Sequence, residues 1–344
     1  MKPRLSIAIP TFNRALFVES CLSGLCTQIV DELTDFSLIE IVVSDNASTD
    51  DTRDKIDAIC QKFPAISLRY FKNEENVGVD KNCHLAIDRA IGDFAWLFCD
   101  DDSLEPGAIT RVVQSIINDS KDSSFLFVNY SVVVENKKTG SGCSTVQEVQ
   151  IPGEELFEKT NFAVSFASSC VFNKFYWSKL SHADYFDSKW YHMYCVREML
   201  PGTKATVIGT PLILMNGMSI SDSRKEKRTT DPGEIDFYMS AHISFLKFAH
   251  TLEAHGYSFN ASQSAKATAW SLTTRQIIYF HLGSDSYRIR ERVGIVAGMS
   301  PYLQNKPAFW ILLVPFLLLP STPIAFMYYK LQPYYRSRKQ LRAH

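Results

Sequence analysis

The sequence predicts an α/β fold in which a mostly parallel sheet lies between helices. Five near-continuous apolar runs are typical of strands covered on both faces, at residues 5–9, 39–43, 68–71, 94–99 and 125–134. Apolar residues at three- and four-residue spacing predict helices between them, at residues 15–29, 50–62, 80–91 and 105–118. Strands that alternate with helices form βαβ units, and such units give a parallel sheet.

Charge and cysteine usage narrow the class of protein. The 344 residues carry 36 Lys and Arg against 37 Asp and Glu, so no overall positive field favours a nucleic-acid partner. The eight cysteines form no C-x-x-C pair, and "MKPRLSIAIP" enters a strand without the apolar region of a signal peptide. We therefore expect reduced thiols and a cytoplasmic location.

Polar residues follow each of the first four predicted strands. They are "PTFNR" (10–14), "SDNASTD" (44–50), "KNEENVGVDKN" (72–82) and "DDD" (100–102). Open sheets of this kind bind ligands outside the carboxyl ends of their strands. Ser48 or Thr49 alone could be a helix N-cap, but four such loops at one edge predict a binding site.

The aspartate triplet predicts a metal ion. At an effective dielectric near 20, two carboxylates about 5 Å apart repel by roughly 3 kcal/mol. The chain has neither G-x-x-x-x-G-K-[ST] nor a G-x-G-x-x-G turn for holding phosphates. Carboxylates suit Mg²⁺ or Mn²⁺, whose remaining ligands are water and phosphate oxygens. The alternative is an acidic turn that caps the helix starting near Glu105.

The four motifs together resemble a known family. "LSIAIPTFNR", "VVSDNASTDDT", "ENVGVDKN" and "FAWLFCDDDSLEPGAI" resemble, in this order, the motifs of the family 2 glycosyltransferases, which have the GT-A fold. The resemblance covers roughly residues 3–110. "CDDD" and the later "WYHMY" are similar to the branch that includes bacterial abequosyltransferases of O-antigen assembly. This implies a nucleotide-sugar donor, a polyprenyl-diphosphate-linked glycan acceptor, and transfer of a deoxyhexose or related sugar.

The resemblance also implies roles for individual residues. The predicted nucleotide pocket contains Pro10, Thr11, Asn13, Arg14 and Asp45. The predicted diphosphate and sugar contacts are Asn76, Gly78, Lys81 and Asn82, together with Asp100 and Asp101.

Two registers are open for the metal ligands. The D-x-D reading selects Asp100 and Asp102. Counting back from Pro106 selects Asp101 and Asp102, and places Cys99 where many members have their first aspartate. We predict Asp102 and Asp101 ahead of Asp100.

The catalytic base has no clear motif. The family usually supplies a carboxylate from an E-D pair, and no clear pair occurs between residues 150 and 215. The candidates are His192, Asp187 and Asp184, within "HADYFDSKWYHMYCVREML". An imidazole has a suitable intrinsic pKa range, although a histidine on an aromatic helix can equally be a packed residue.

Three regions are predicted along the chain. Residues 1–110 form the nucleotide-sugar-binding half, 111–215 the acceptor-binding half, and 216–344 a C-terminal helical, membrane-associating extension. Residues 308–329 are 22 residues without charge, interrupted by three prolines and followed by Lys, Arg and Tyr. This pattern favours a monotopic or re-entrant anchor on anionic lipid within 308–344. A buried core helix or oligomer contact is the alternative.

The resulting hypothesis is a metal-dependent glycosyltransferase at the cytoplasmic face of the bacterial inner membrane. Two alternatives stay open. One is a non-catalytic protein that binds sugar nucleotide or glycan. The other is an aspartate-dependent phosphatase, which would need its D-x-D directly after the first strand, where "IPTFNR" has none.

Overall fold

The computed structural model describes residues 2–119, 123–144, 147–216, 232–283, 289–303 and 314. Its strands are β1 (Leu5–Thr11), β2 (Ile39–Asp45), β3 (Leu68–Lys72), β4 (Phe94–Leu97), β5 (Ser103–Leu104), β6 (Ser123–Val134), β7 (Lys137–Ser141), β8 (Glu148–Pro152), β9 (Cys170–Asn173) and β10 (Lys204–Asn216). Its helices are α1 (Ala15–Glu32), α2 (Thr52–Lys62), α3 (Val79–Asp88), α4 (Ala108–Asp119), α5 (Leu156–Lys159), α6 (Lys174–Trp177), α7 (Tyr191–Met199), α8 (Pro232–Thr251), α9 (Phe259–Gly283) and α10 (Ile289–Leu303). Every predicted strand and helix of the first 134 residues is present, with shifted ends.

The strands form one mixed sheet in the order β3-β2-β1-β4-β9-β6-β10-β5, with β7 beside β6 and β8 beside β10. The run β3-β2-β1-β4 is parallel, and β6 is parallel to β10. Strand β9 is antiparallel to both β4 and β6, and β5, β7 and β8 also pair antiparallel. The predicted α/β class is confirmed, but the prediction of a mostly parallel sheet is wrong for the second half.

Chain connectivity explains the antiparallel pairing of β6 with β7. Strand β7 starts three residues after β6 ends, and a parallel neighbour would need a crossover of a dozen or more residues. Glu135 and Asn136 have φ of 50° and 60°, which is the left-handed backbone of a tight hairpin turn. Their sequence lacks the Asn-Gly or Asp-Gly signal of such turns, so the hairpin was not predicted.

Helices cover both faces of the sheet. Alternate residues of the parallel strands, such as Leu5, Ile7 and Ile9, pack in one buried cluster with apolar residues of α1, α2 and α4. Helix α3 packs against β1, β2 and β4 through Ala86 and Ile87, which lie outside that cluster and therefore on the other face. This double coverage explains why the strands are almost uniformly apolar.

The parallel register brings the strand ends together. Thr11 is paired with Asp45, and Asp45 with Lys72, so β1, β2 and β3 end side by side. On the other side of β1, the Phe98 N–H donates to the Ala8 carbonyl 2.9 Å away, which continues the pairing beyond β4. The four polar loops therefore emerge at one edge of the sheet.

The chain divides into two compact units. One comprises Met1–Asp222 with Thr251–Ala265, and the other Ser223–His250 with Lys266–His344. In the described part of the chain, no helix combines the length and apolar character needed to cross a bilayer. The predicted anchor at 308–329 lies outside the described residues, apart from Val314.

Candidate active site

The aspartate triplet follows β4 and is partly neutralised by one arginine. The Thr11 hydroxyl donates to Oδ2 of Asp100 at 2.7 Å, and Nε of Arg14 lies 3.0 Å from Oδ1 of the same carboxylate. Nη2 of Arg14 lies 2.7 Å from Oδ2 of Asp101. The end of β1 and the start of α1 therefore hold the first two aspartates.

The third aspartate has a different environment. Asp102 is 5% exposed; its Oδ2 accepts from the Ser168 hydroxyl at 2.6 Å and its Oδ1 from the Asn216 N–H at 3.1 Å. The Ser168 hydroxyl also accepts from the Cys99 N–H, and the Ser168 carbonyl accepts from the indole of Trp96. Because these bonds fix Ser168, they also fix the orientation of the Asp102 carboxylate.

Burial raises the pKa of two carboxyls in the triplet. For Asp102 burial is the main cause, and its hydrogen bonds only partly offset it, so the pKa rises to about 7. For Asp100 burial again dominates, but the charge of Arg14 opposes it, and the pKa rises to about 6. Among the described residues, no lysine or arginine forms an ion pair with Asp102. A buried carboxylate without a counter-charge is costly, so the triplet is suited to an added cation.

A divalent cation fits three side chains at this position. One ligand atom each from Cys99, Asp101 and Asp102 lies within 4.8 Å of the others, and Asp100 is outside the set. Two carboxylates suit Mg²⁺ or Mn²⁺, whereas a thiol is a softer ligand.

The capping alternative for the triplet is wrong. The groups that accept from the Gly107 and Thr110 N–H at the start of α4 are the carboxylate oxygens of Glu32, at 2.6 and 3.0 Å.

Asp45 lies at the end of β2 and is fully buried. Its Oδ1 accepts from the Ser48 N–H at 2.8 Å and its Oδ2 from the Tyr70 hydroxyl at 2.5 Å. Burial and the hydrogen bond to Asp45 raise the pKa of Tyr70. Asp45 thus shapes the loop after β2, and Tyr70 stands beside the carboxylate predicted to bind the nucleotide.

Asn82 joins the ends of three strands. Its amide group donates to the Ser44 carbonyl at 2.9 Å and to the Thr11 carbonyl at 3.4 Å. Its oxygen accepts from the Ser44 hydroxyl and from the side-chain amide of Asn73. Both hydrogens and both lone-pair positions of Asn82 are therefore used within the protein.

The other residues predicted to contact the donor are more accessible. Asn13 is exposed with φ of 52°; its N–H donates to the Ser48 hydroxyl and its side-chain oxygen accepts from the Thr49 N–H. Pro10 is partly buried beside Ser44 in the β1–β2 pairing.

The loop that leads into α3 contains Asn76 and Gly78. The side chain of Asn76 accepts from the Gly78 N–H and from the amide of Asn46. Gly78 has φ of 85°, which other residues rarely adopt, and Lys81 is exposed one turn later.

The three candidate bases have unlike surroundings. The ring of His192 uses Nε2 toward the Ser165 carbonyl at 2.9 Å, and since a carbonyl only accepts, Nε2 carries the hydrogen. Burial lowers the pKa of His192 to about 4. Asp184 is exposed in the short 3-10 helix His182–Tyr185. The side chain of Asp187 is 95% exposed, and the residue has φ of 64°.

Asp187 lies in a segment that is fixed to α3. The Asp80 carboxylate, in the first turn of α3, accepts from the Lys189 N–H at 2.7 Å and from the Ser188 hydroxyl at 3.3 Å. This segment therefore lies next to the loop that contains Asn76 and Gly78.

Sequence reasoning missed Ser168, Tyr70 and Asp80. Asp80 lies within the quoted loop "KNEENVGVDKN", and Tyr70 lies in the strand before it, so both were visible as polar groups near the sheet edge. Ser168 is 66 residues from Asp102 in a region without a motif, and no sequence signal indicated it.

The fold and this site define a glycosyltransferase. The chain belongs to glycosyl transferase family 2, whose family model matches residues 6–179, about half of the chain. Strand β1 ends at Thr11 and is followed by Phe12, Asn13 and Arg14, without an aspartate, which also removes the phosphatase alternative.

Two curated bacterial proteins are similar in sequence. Abequosyltransferase RfbV of Salmonella typhimurium is 27% identical over 300 residues, which cover 78% of this chain and 82% of RfbV. GalNAc(5)-diNAcBac-PP-undecaprenol beta-1,3-glucosyltransferase of Campylobacter jejuni is 34% identical over 113 residues, covering 33% of this chain and 34% of that protein.

Solved structures of S. aureus TarS share the fold. One superposes with a TM-score of 0.59 and 13% identity, covering 93% of this chain and 51% of that one, so this chain spans about half of TarS. The complex of TarS 1-349 with UDP-GlcNAc gives a TM-score of 0.56 at 13% identity, covering 89% and 82%. At this identity the likeness supports the GT-A-type fold alone.

Proposed function

We propose that this enzyme transfers a sugar from a nucleotide-sugar donor to a lipid-linked glycan during synthesis of a bacterial surface polysaccharide, with Mg²⁺ or Mn²⁺ bound. The observation that carries the proposal is the buried Asp102, which shares a candidate metal site with Asp101 at the edge where four strands end. The name of the Campylobacter enzyme supports a lipid-linked glycan acceptor, and the name of RfbV supports abequose or a related deoxyhexose as the sugar that is transferred.

The donor nucleotide would occupy the edge formed by β1, β2 and β3. Asn13 and Arg14 are accessible there. Buried Asp45 holds the loop after β2, and buried Asn82 holds the strand ends. Lys81 and the first turn of α3 present positive charge and free N–H groups, which favour a diphosphate.

Asp101 and Asp102 would hold the cation, with Ser168 fixing the second carboxylate. A divalent cation held there would supply Lewis-acid stabilisation of the negative charge that develops on the leaving nucleotide. Arg14 orients Asp100 and Asp101, and with Thr11 it holds Asp100 away from the metal-binding set.

We assign the base to Asp187 ahead of His192 and Asp184. The ring of His192 is held by the bond from Nε2 to the Ser165 carbonyl, and burial lowers its pKa to about 4, so the imidazole has no advantage in basicity over a carboxylate. Asp187 is exposed, and its segment is anchored through Asp80 beside the donor loop. Its left-handed backbone is a local strain of the kind that clusters at active sites.

The acceptor would be presented at a membrane surface. We retain residues 308–344 as a monotopic or re-entrant anchor on anionic lipid, at the cytoplasmic face of the inner membrane. Truncation before residue 305 should leave donor binding intact but abolish sedimentation with anionic liposomes at low salt. Unfolding of the truncated protein, together with indifference of the full chain to such liposomes, would instead identify the segment as core.

Hydrolysis of the donor tests the proposal directly. We would incubate UDP-, GDP-, CDP- and dTDP-sugars with the full chain, in Mn²⁺, Mg²⁺ or chelator, and measure release of the nucleotide. We expect release with one nucleotide class, dependent on metal and absent from Asp102→Asn. Binding without release under any of these conditions would favour the non-catalytic alternative.

A further inference from the structure

One member of the candidate metal site is a thiol. Cys99 is partly exposed, and its sulfur lies within 4.8 Å of ligand atoms of Asp101 and Asp102. Its backbone is fixed on both sides, because its N–H donates to the Ser168 hydroxyl and its carbonyl accepts from the Asp102 N–H at 3.4 Å.

We propose that Cys99 is a direct ligand, so that the site prefers Mn²⁺ and other thiolate-tolerant cations over Mg²⁺. This rests on the proposed metal-dependent function and adds to it the class of cation that the chain selects.

The first argument is the commitment of Asp100. This carboxylate accepts from Thr11 through one oxygen and pairs with Arg14 through the other. Bringing it to a metal would break both contacts, whereas Asp101 pairs with Arg14 through Oδ2 and can offer its other oxygen. Cys99 precedes the triplet and would give up a hydrogen bond with Ser168 but no ion pair, so it is the third side chain available in the described part of the chain.

The second argument is the uncompensated charge of Asp102. Asp102 is 5% exposed, and its partners Ser168 and Asn216 are neutral donors. Neutral hydrogen bonds do not replace a counter-ion for a buried carboxylate. A cation bound beside Asp102 supplies that charge, and Cys99 is next to the same carboxylate.

Sulfur then sets the preference among cations. Mg²⁺ requires near-ideal octahedral oxygen coordination and keeps its waters, whereas soft thiolates favour later transition metals. Mn²⁺ lies between the two. A thiol that binds metal releases its proton to solvent, so no other reactant is needed.

The test uses the full chain, with its thiols reduced, in parallel samples that contain UDP, GDP, CDP or dTDP. Co²⁺ is the probe, because thiolate-bound cobalt shows an intense near-ultraviolet charge-transfer band. The variants are Cys99→Ser and Cys99→Ala, and Asp102→Asn locates the ion. Cys60→Ser, at a partly exposed thiol on α2, is the matched control. Calorimetry then compares the Cd²⁺ and Mg²⁺ affinities of each protein.

We expect the band in the unmodified protein and in Cys60→Ser, and no band in either Cys99 variant. The ratio of Cd²⁺ to Mg²⁺ affinity should fall at least about tenfold in Cys99→Ser. Loss of a residue that only orients a metal ligand already lowers metal affinity by about tenfold or more, and a direct ligand should matter at least as much. Cys99→Asp should move the preference toward Mg²⁺.

Two outcomes distinguish a failure of this inference from a failure of the proposed function. If Asp102→Asn abolishes cation binding but Cys99→Ser keeps both the band and the affinity ratio, the thiol is not a ligand and only the inference is wrong. If no divalent cation binds the full chain with any of the four nucleotides present, the metal dependence fails and the inference fails with it.

Discussion

Nη2 of Arg14 lies 2.7 Å from Oδ2 of Asp101, so the start of α1 is paired with a carboxylate of the candidate metal site. The same guanidinium contacts Asp100 through Nε. Burial opposes the charge on Arg14, but the two carboxylates outweigh it and raise its pKa. One arginine therefore provides positive charge for two of the three aspartates and leaves Asp102 for another cation.

Replacing this arginine should destabilise the protein when metal is removed. In Arg14→Met, Asp100 and Asp101 lose their counter-charge, and we expect a loss of about 1–3 kcal/mol in the free energy of unfolding, less than for a fully buried pair because Arg14 is partly exposed. Mn²⁺ should stabilise the variant more than the unmodified protein, because the competing charge is gone. Denaturant unfolding in chelator and in Mn²⁺ measures both effects.

The control is Lys159→Met, which removes an exposed pair with Glu155 four residues earlier. It should cost no more than about 1 kcal/mol. Equal stability of Arg14→Met and the unmodified protein in chelator would show that the triplet does not need this arginine.

Asp102 should make the metal-free protein less stable as the pH rises. Its folded pKa of about 7 is above the ordinary value of 3.8, so between these values the folded state holds a proton that the unfolded state has lost. Stability from this group is complete below pH of about 4 and is lost as the pH rises through about 7. Asp102→Asn removes the titration.

The stability gain of Asp102→Asn over the unmodified protein should therefore grow across that range by no more than about 4 kcal/mol. Thermal unfolding in chelator at several pH values measures the growth, and any lost hydrogen bond adds only a constant offset. Asp54→Asn, exposed on α2, controls for net charge. A difference that stays flat with pH would mean that the carboxyl titrates normally.

Variants of Asp45 and Tyr70 distinguish a direct contact between Asp45 and the nucleotide from a purely structural role of Asp45. If Asp45 binds base or ribose, Asp45→Ala should weaken nucleotide binding by about 1.5–3 kcal/mol. Tyr70→Phe frees one oxygen of Asp45, so it should reduce stability without weakening nucleotide binding. Calorimetry on both variants, with the nucleotide that the hydrolysis assay selects, tests this. Normal nucleotide affinity in a destabilised Asp45→Ala would restrict Asp45 to holding Ser48 and Tyr70.

Three substitutions distinguish the candidate bases. Asp187→Asn should lower turnover by roughly 10²–10⁴ with donor binding unchanged. His192→Ala should lower thermal stability more than turnover, since its ring supports the Ser165 carbonyl. Asp184→Asn is the matched exposed control. A large loss of turnover in a well-folded His192→Ala, with Asp187→Asn active, would return the role to the imidazole.

The first half of the fold was predictable because its physics is local. Strands β1 to β4 are apolar on both faces, the helices between them have regular apolar spacing, and parallel order follows from that alternation. The second half depends on contacts that composition does not encode. The turn at Glu135 and Asn136 uses left-handed backbone without glycine, and the four-residue strand β9 is inserted between β4 and β6.

The candidate site divides in the same way. The side chains at the strand ends were visible in the sequence, because the end of each apolar run marks the ligand edge. Their partners were not, since Ser168 meets Asp102 only through the folded chain, and the burial that lowers the pKa of His192 depends on packing. Which of these residues contact donor, metal and acceptor stays a prediction.

Helix α1 holds the segment that contains the aspartate triplet in place. Arg14 precedes its first turn and pairs with Asp101, Gln28 donates from its last part to the Leu104 carbonyl, and Glu32 at its end accepts from Gly107 and Thr110. Residues 101–110 are therefore held by contacts at three points along α1, which is about 27 Å long. Adding one residue within α1 would turn Glu32 by about 100° relative to Arg14. An insertion or deletion in α1 would therefore disturb the aspartate segment as directly as a substitution within it, although most residues of α1 lie outside the candidate site.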